Sequence, residues 1–354
     1  MKQRNAQYDL MRVLAMVLVV MVHVPYKPFS ENPALTNLLV TVLHTCNSIF
    51  FMLSGRLNLA KSFEKPGDYL LYYKKKITEI LLPYLLCSAL LTLWNLVRSG
   101  EPFTAAVYLK QFYRGFMGGN ASGHLWFMYA LVGMLLAAPF LAGMVQRLSD
   151  WTLKLLLGLA LGWNAVSIYC AADLGVTFSY NNWFLSGWII HFFAGYALYR
   201  LLPGISNTGR KWIYAAALAG LALTVAGKTL IPDRFLYSMD LSPLFVLWGI
   251  GVFTFLSAHP AVRSPRIGRV LRFIAKYSFL VYLIHYTILF DLVLQWIPSF
   301  SRATVSFLGH TFLTLALSFA AAFLLDLLLS APLQRLLRKL LKIPSPSGKA
   351  AASA

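Results

Sequence analysis

The segment Asp9-Leu10-Met11-Arg12-Val13-Leu14-Ala15-Met16-Val17-Leu18-Val19-Val20-Met21-Val22-His23 forms most of an apolar run over about 9–25 that is long enough for a membrane helix, yet it carries an arginine and a histidine. Charged and titratable groups are expensive inside a bilayer, so their presence there points to function. Eleven helical steps of about 100° bring Arg12 and His23 within roughly 20° of each other around the helix. The rise separates them by ~16 Å, about half the hydrocarbon thickness. One helix face therefore offers a fixed cation at one depth and a base at another, a spacing suited to a long substrate with an anionic end and a reactive end.

The rest of the chain has the same character. Of 354 residues, 58% are hydrophobic and only 12% charged, well below the charge of an ordinary soluble domain. Apolar runs predict ten spans, at about 9–25, 36–58, 77–97, 125–145, 152–171, 183–201, 211–231, 241–257, 277–297 and 304–330, the sixth and eighth being the shortest. The expected fold is an all-α polytopic membrane protein, with residues 1–332 forming the transmembrane domain. In 333–343, Leu333, Leu336, Leu337, Leu340 and Leu341 recur at helical spacing opposite Arg335, Arg338, Lys339 and Lys342. That pattern suits an amphipathic helix on the inner membrane surface. Residues 344–354, with Pro344-Ser345-Pro346-Ser347-Gly348, are expected to be disordered.

A net charge of +19 would suggest nucleic acid in a soluble protein. With both termini placed in the cytoplasm, only Lys27, Arg98, Lys110, Arg114, Lys228, Arg234 and Arg302 of the 31 Lys and Arg fall in outer loops. Membrane topology explains this bias and no nucleic-acid partner is required. For a bacterial source, the chain is expected in the cytoplasmic (inner) membrane. Met1-Lys2-Gln3-Arg4-Asn5 resembles the start of a signal peptide, but His23-Val24-Pro25-Tyr26-Lys27 is too bulky for cleavage, so the first helix is read as uncleaved. Cys46, Cys87 and Cys170 have no metal or disulfide spacing, and no metal site is expected. The outer loop 98–124, with Gly115, Gly118, Gly119, Asn120 and Gly123, reads as a flexible lid.

Five segments, in order along nearly the whole chain, resemble the integral-membrane acyltransferase family 3. They are Arg12 followed after ten residues by His23, then Phe50-Phe51-Met52-Leu53-Ser54-Gly55, then the basic stretch from Tyr73 into Pro83-Tyr84, then Gly123-His124-Leu125-Trp126-Phe127-Met128-Tyr129, and lastly Lys276-Tyr277-Ser278-Phe279-Leu280-Val281-Tyr282-Leu283-Ile284-His285. Arg56 departs from the family's usual aromatic or aliphatic residue, and Tyr286 from its frequent proline; Arg56 bears on how the inner vestibule treats anions. The resemblance implies an O-acetyltransferase-like enzyme. Its donor would be acyl-CoA, most often acetyl-CoA, a co-substrate with no permanently bound cofactor. Its acceptor would be a hydroxyl of a sugar or lipid-linked glycan at the outer face.

Within that reading His23 is the base that takes the acceptor proton, against a bland role as an interhelical hydrogen-bonding partner. Arg12 anchors the donor's phosphates, with a structural pair to Asp9, three residues earlier, as the rival. Ser54, Arg56, Lys74 and Lys75 are further donor-side candidates, although Ser54-Gly55 also suits close helix packing. His124, Trp126 and Tyr129 are acceptor-side candidates; Trp126 equally suits an aromatic belt and His124 a helix cap. Asp9, Tyr282 and His285 are expected to shape the cavity. His44 and His191 also fall within spans without an assigned role. Apolar helix faces suit the bundle or a homodimer equally, and the acyl group passes to its acceptor either here or through a separate extracytoplasmic transferase. The rival function is a secondary transporter or flippase; Gly249-Ile250-Gly251 interrupts one helix, but no matching break occurs in the first half. A membrane scaffold, the third reading, would tolerate neutralising His23.

Overall fold

The computed structural model describes residues 5–25, 27–101, 103–118, 122–170, 187–232 and 241–344. The described residues form eleven helices and no strands. They are α1 (Ala6–His23), α2 (Pro33–Leu59), α3 (Pro66–Ser99), α4 (Ala105–Gly118), α5 (Trp126–Arg147), α6 (Asp150–Tyr169), α7 (Ile189–Leu201), α8 (Asn207–Leu230), α9 (Pro243–Ala258), α10 (Pro265–Trp296) and α11 (Ala303–Leu340). Eight of them are long and apolar enough to cross a membrane. The sixth and eighth expected spans correspond to the shorter α7 and α9; residues 183–186 of the sixth lie outside the described part. The protein is an all-α polytopic membrane protein.

Helix starts follow local chemistry. Asn5, Asn32, Ser149, Ser206 and Ser242 each cap a helix by accepting a backbone N–H in the first turn. Prolines act inside the long helices as well. Pro83 lacks the N–H that would bond the Glu79 carbonyl, and α3 widens into a π turn over Ile77–Leu81. Another π turn, Asp326–Ser330, precedes Pro332 in α11. The amphipathic stretch Ala331–Leu340 is thus a continuation of the last apolar helix rather than a separate element. The tail beyond Pro344 lies outside the described residues.

Loop 98–124 is not simply a flexible lid. Ala105–Gly118 is an amphipathic helix whose Tyr108, Phe112 and Phe116 rings stack one above another. The Tyr108 hydroxyl donates to the Ala89 carbonyl of α3 at 3.1 Å, fixing α4 to the bundle. Cys46 and Cys87 are buried free thiols.

The core centres on α1, α2, α5, α7 and α10. At the α2–α7 crossing, a Cβ on Gly55 would collide with the backbone of Phe192, and one on Gly195 with the backbone of Met52. Small residues let these backbones touch, which is how apolar helices gain packing energy where hydrophobic burial gives little. That crossing fixes the depth at which Ser54 and Phe51 face inward.

Candidate active site

Three adjoining cavities run from the start of α1 to its end. The first, at the basic end, is a vestibule of about 1020 Å³ lined by Tyr8, Arg12, Arg56, Lys61, Glu79, Lys276 and Arg338, among others. It shares Arg12, Leu57 and Lys61 with a cavity of about 400 Å³, lined mostly by apolar side chains such as Phe50, Leu53, Leu131 and Phe279, with Ser54, Asn58 and Lys76. That cavity shares Phe127 and Tyr282 with a chamber of about 150 Å³ holding His23, His44, Asn47, His124 and Trp126. Arg12 therefore stands where vestibule and cavity meet, and His23 stands in the chamber beyond.

His23 and His285 are hydrogen-bonded to each other, and the His124 ring packs against both. His23 Nδ1 lies 2.7 Å from the Val19 carbonyl and 3.3 Å from His285 Nε2. His285 Nδ1 lies 2.8 Å from the Tyr282 carbonyl. Carbonyl oxygens only accept, so in the neutral rings both Nδ1 atoms carry the proton; the single His23 Nδ1–H donates chiefly to Val19, with His285 Nε2 as a second, longer acceptor of the same proton. This leaves His23 Nε2 as an unprotonated nitrogen. His44 has the same arrangement, donating from Nδ1 to the Val40 carbonyl at 2.8 Å. His124 is fully committed: Nε2 donates to the Leu283 carbonyl at 3.3 Å and Nδ1 accepts from Ser122 Oγ at 3.0 Å. The Tyr282 hydroxyl donates to the His124 carbonyl at 2.6 Å, and the Tyr286 ring stacks on His124 at 5.3 Å. Just beyond α1, Lys27 Nζ donates to the carbonyls of Met21, Val22 and Val24 and so closes the helix end that carries His23.

At the other end, Arg12 Nη1 donates to Asp9 Oδ1 at 2.9 Å, and the Asp9 side chain is 1% exposed. The structural pair considered as a rival is therefore present. It leaves Arg12 lining both cavities, so the pairing does not withdraw the guanidinium from them. Around it, Lys276 pairs with Asp326 at 2.7 Å and Arg338 with Glu79 at 2.6 Å. Burial holds the Lys61 ammonium below the usual lysine range; Glu79 opposes that shift and Lys75 adds to it.

The expected residues thus divide between two ends. His23, His124, Trp126, Tyr282 and His285 converge on the chamber; Asp9, Arg12, Ser54 and Arg56 converge on the vestibule side. Lys76, rather than Lys74 or Lys75, lines the middle cavity. Tyr129 spends its hydroxyl on the carbonyls of Gly115 (3.2 Å) and Phe116, pinning α4 to α5. His44 and Asn47 reach the chamber without having been singled out, although His44 lies on the same α2 face as Phe51, two turns on. His191 instead stacks on Trp188. Among the described residues no group of His, Cys, Asp and Glu is placed to hold a metal ion.

Fold and site define a polytopic helical membrane protein with a buried histidine chamber reached from a basic vestibule. The chain matches the family model described as an acyltransferase domain, acyltransferase family 3, over residues 5–327, and it belongs to that family. The protein is accordingly a membrane acyltransferase. No curated protein and no solved structure matches the chain significantly.

Proposed function

We propose that this acyltransferase moves a short acyl group, acetyl in the simplest case, from cytoplasmic acyl-CoA to a hydroxyl of a sugar or lipid-linked glycan at the outer face. The observation that carries the donor assignment is the match of lengths. Thirteen bonds separate the thioester sulfur of coenzyme A from its nearest phosphorus, about 15 Å when extended at ~3.4 Å per three main-chain bonds. Arg12 and His23 are ~16 Å apart along α1, and a mostly apolar cavity runs from Arg12 to the edge of the chamber that holds His23. A pantetheine arm in that cavity puts the diphosphate at Arg12 and the thioester at His23.

In this reading the basic end faces the cytoplasm, as the charge bias requires. His23 Nε2 accepts the hydroxyl proton as the acceptor oxygen attacks the thioester carbonyl; the C–S bond breaks and coenzyme A leaves as thiolate. The Val19 carbonyl, with His285 Nε2 as a second acceptor, holds the His23 ring so that Nε2, not Nδ1, is left for the substrate. The small chamber favours a short acyl group over a fatty chain. His124 and Trp126 border the space left for the acceptor.

The test is release of free coenzyme A from radiolabelled acetyl-CoA by the purified protein in detergent, beside a His23→Ala variant of matched folding. The proposal expects donor binding by both and turnover only by the parent, with water as a slow acceptor. Absence of binding and turnover across several acyl-CoA species would instead favour a transport role for the same cavities.

A further inference from the structure

Two arginines at the basic end lack the partners that neutralise their neighbours. Arg12, Lys276 and Arg338 each pair with a carboxylate. The Arg56 Nε–H is buried with no hydrogen-bond partner among the described residues, and its guanidinium lies against the rings of Tyr8 and Tyr199. The Arg210 Nε–H is also buried and unpartnered, while its Nη2 makes only a long bond, 3.4 Å, to the Leu202 carbonyl. Both arginines line one groove of about 430 Å³, and among the described residues no Asp or Glu lines it. The groove shares Tyr8, Arg56 and Tyr199 with the vestibule and so forms its side branch.

Topology demands positive charge at this end, but solvated lysines satisfy that demand. It does not require guanidinium N–H groups buried without acceptors, an arrangement that is costly until a ligand supplies them. Two guanidinium groups over a carboxylate-free groove suit a phosphate monoester, whose oxygens accept paired N–H donors. The tyrosine rings beside it offer a face for a purine. With the diphosphate at Arg12, the adenosine end of the donor has to continue into the vestibule, where this branch opens.

We infer that the Arg56–Arg210 groove binds the 3′-phosphate end of the donor's adenosine, so that the enzyme selects coenzyme A thioesters over forms lacking that phosphate. The inference rests on the acyl-CoA reading of the site. It also gives Arg56, which departs from the family pattern, and Arg210 a shared role.

The test compares binding of coenzyme A and 3′-dephospho-coenzyme A to the full chain in phospholipid-free detergent. The expected preference for coenzyme A is about tenfold to a hundredfold, the range for charge-assisted hydrogen bonds. Arg210→Gln should remove that preference by weakening coenzyme A alone, with dephospho-coenzyme A binding and the melting temperature unchanged. Equal affinities in the parent protein would overturn the groove assignment whether or not the variant folds, as would equal weakening of both ligands by Arg210→Gln. An anionic phospholipid that co-purifies with the parent but not with Arg210→Gln, without any preference between the nucleotides, would reassign the groove to a lipid headgroup. Binding of neither nucleotide would overturn the acyl-CoA reading itself.

Discussion

The two ends of the cavity system are built on opposite principles. In the histidine chamber, polar atoms are largely spent on hydrogen bonds within the protein, mostly to backbone carbonyls: His124 uses both nitrogens, His285 uses both, and Tyr282 is tied to the His124 carbonyl. The vestibule is roughly seven times larger by volume and keeps cations such as Arg56 without a carboxylate partner among the described residues. A reacting group has to be held to within tenths of an ångström, whereas a phosphate handle is attracted by charge over longer range. Rigidity belongs at one end and unneutralised charge at the other.

The largest effect expected from breaking this arrangement lies between the two ends. Gly55→Ala puts a methyl into the Phe192 backbone, separates α2 from α7 and disturbs both cavities. A loss of at least about 1–3 kcal/mol is expected for such overpacking, read as a lower melting temperature in detergent together with loss of activity. Next, His285→Leu removes the second acceptor of the His23 N–H and the ring packed beside it, and should lower kcat by about 10² with little change in KM. His285→Gln, which offers a carbonyl oxygen in its place, should recover part of the loss; equal losses would make the role one of packing alone. Raising ionic strength should weaken donor binding at the vestibule by screening while leaving kcat unchanged. A salt effect on kcat instead would break the division between the two ends.

A pH effect sharpens the same comparison. The Lys61 ammonium titrates lower than an ordinary lysine because it is buried. It therefore loses its proton at a lower pH than an exposed lysine, and donor affinity should begin to decline earlier as pH rises. Lys61→Arg should abolish that early decline. The smallest effect is expected for Tyr282→Phe, which loses one hydrogen bond to the His124 carbonyl, about 1 kcal/mol, visible as a modest fall in melting temperature.

Much of this was legible in the sequence because it is periodic. Apolar run lengths predicted the spans, and the 3.6-residue repeat placed Arg12 and His23 on one face before any neighbour was known. What could not be read was contact between helices. Nothing along α2 says that His44 faces His23, since that depends on the glycine-mediated crossings that set how α2 lies in the bundle. Lys74, Lys75 and Lys76 look alike in sequence; their position at the π turn over Ile77–Leu81 decides that Lys76 turns inward. Helix α4 was obscured by the glycines around it, although Tyr108, Phe112 and Phe116 at four-residue spacing were a readable helical signal.

The central claim is that one donor molecule lies with its charged end at Arg12 and its thioester at His23. It is tested most directly by measuring KM for acetyl-CoA and kcat for coenzyme A release in Arg12→Ala and His23→Ala side by side. The account predicts that Arg12→Ala chiefly raises KM, while His23→Ala lowers kcat by about 10²–10⁴ with donor binding retained. Full turnover by His23→Ala, or an unchanged KM in Arg12→Ala, would contradict it.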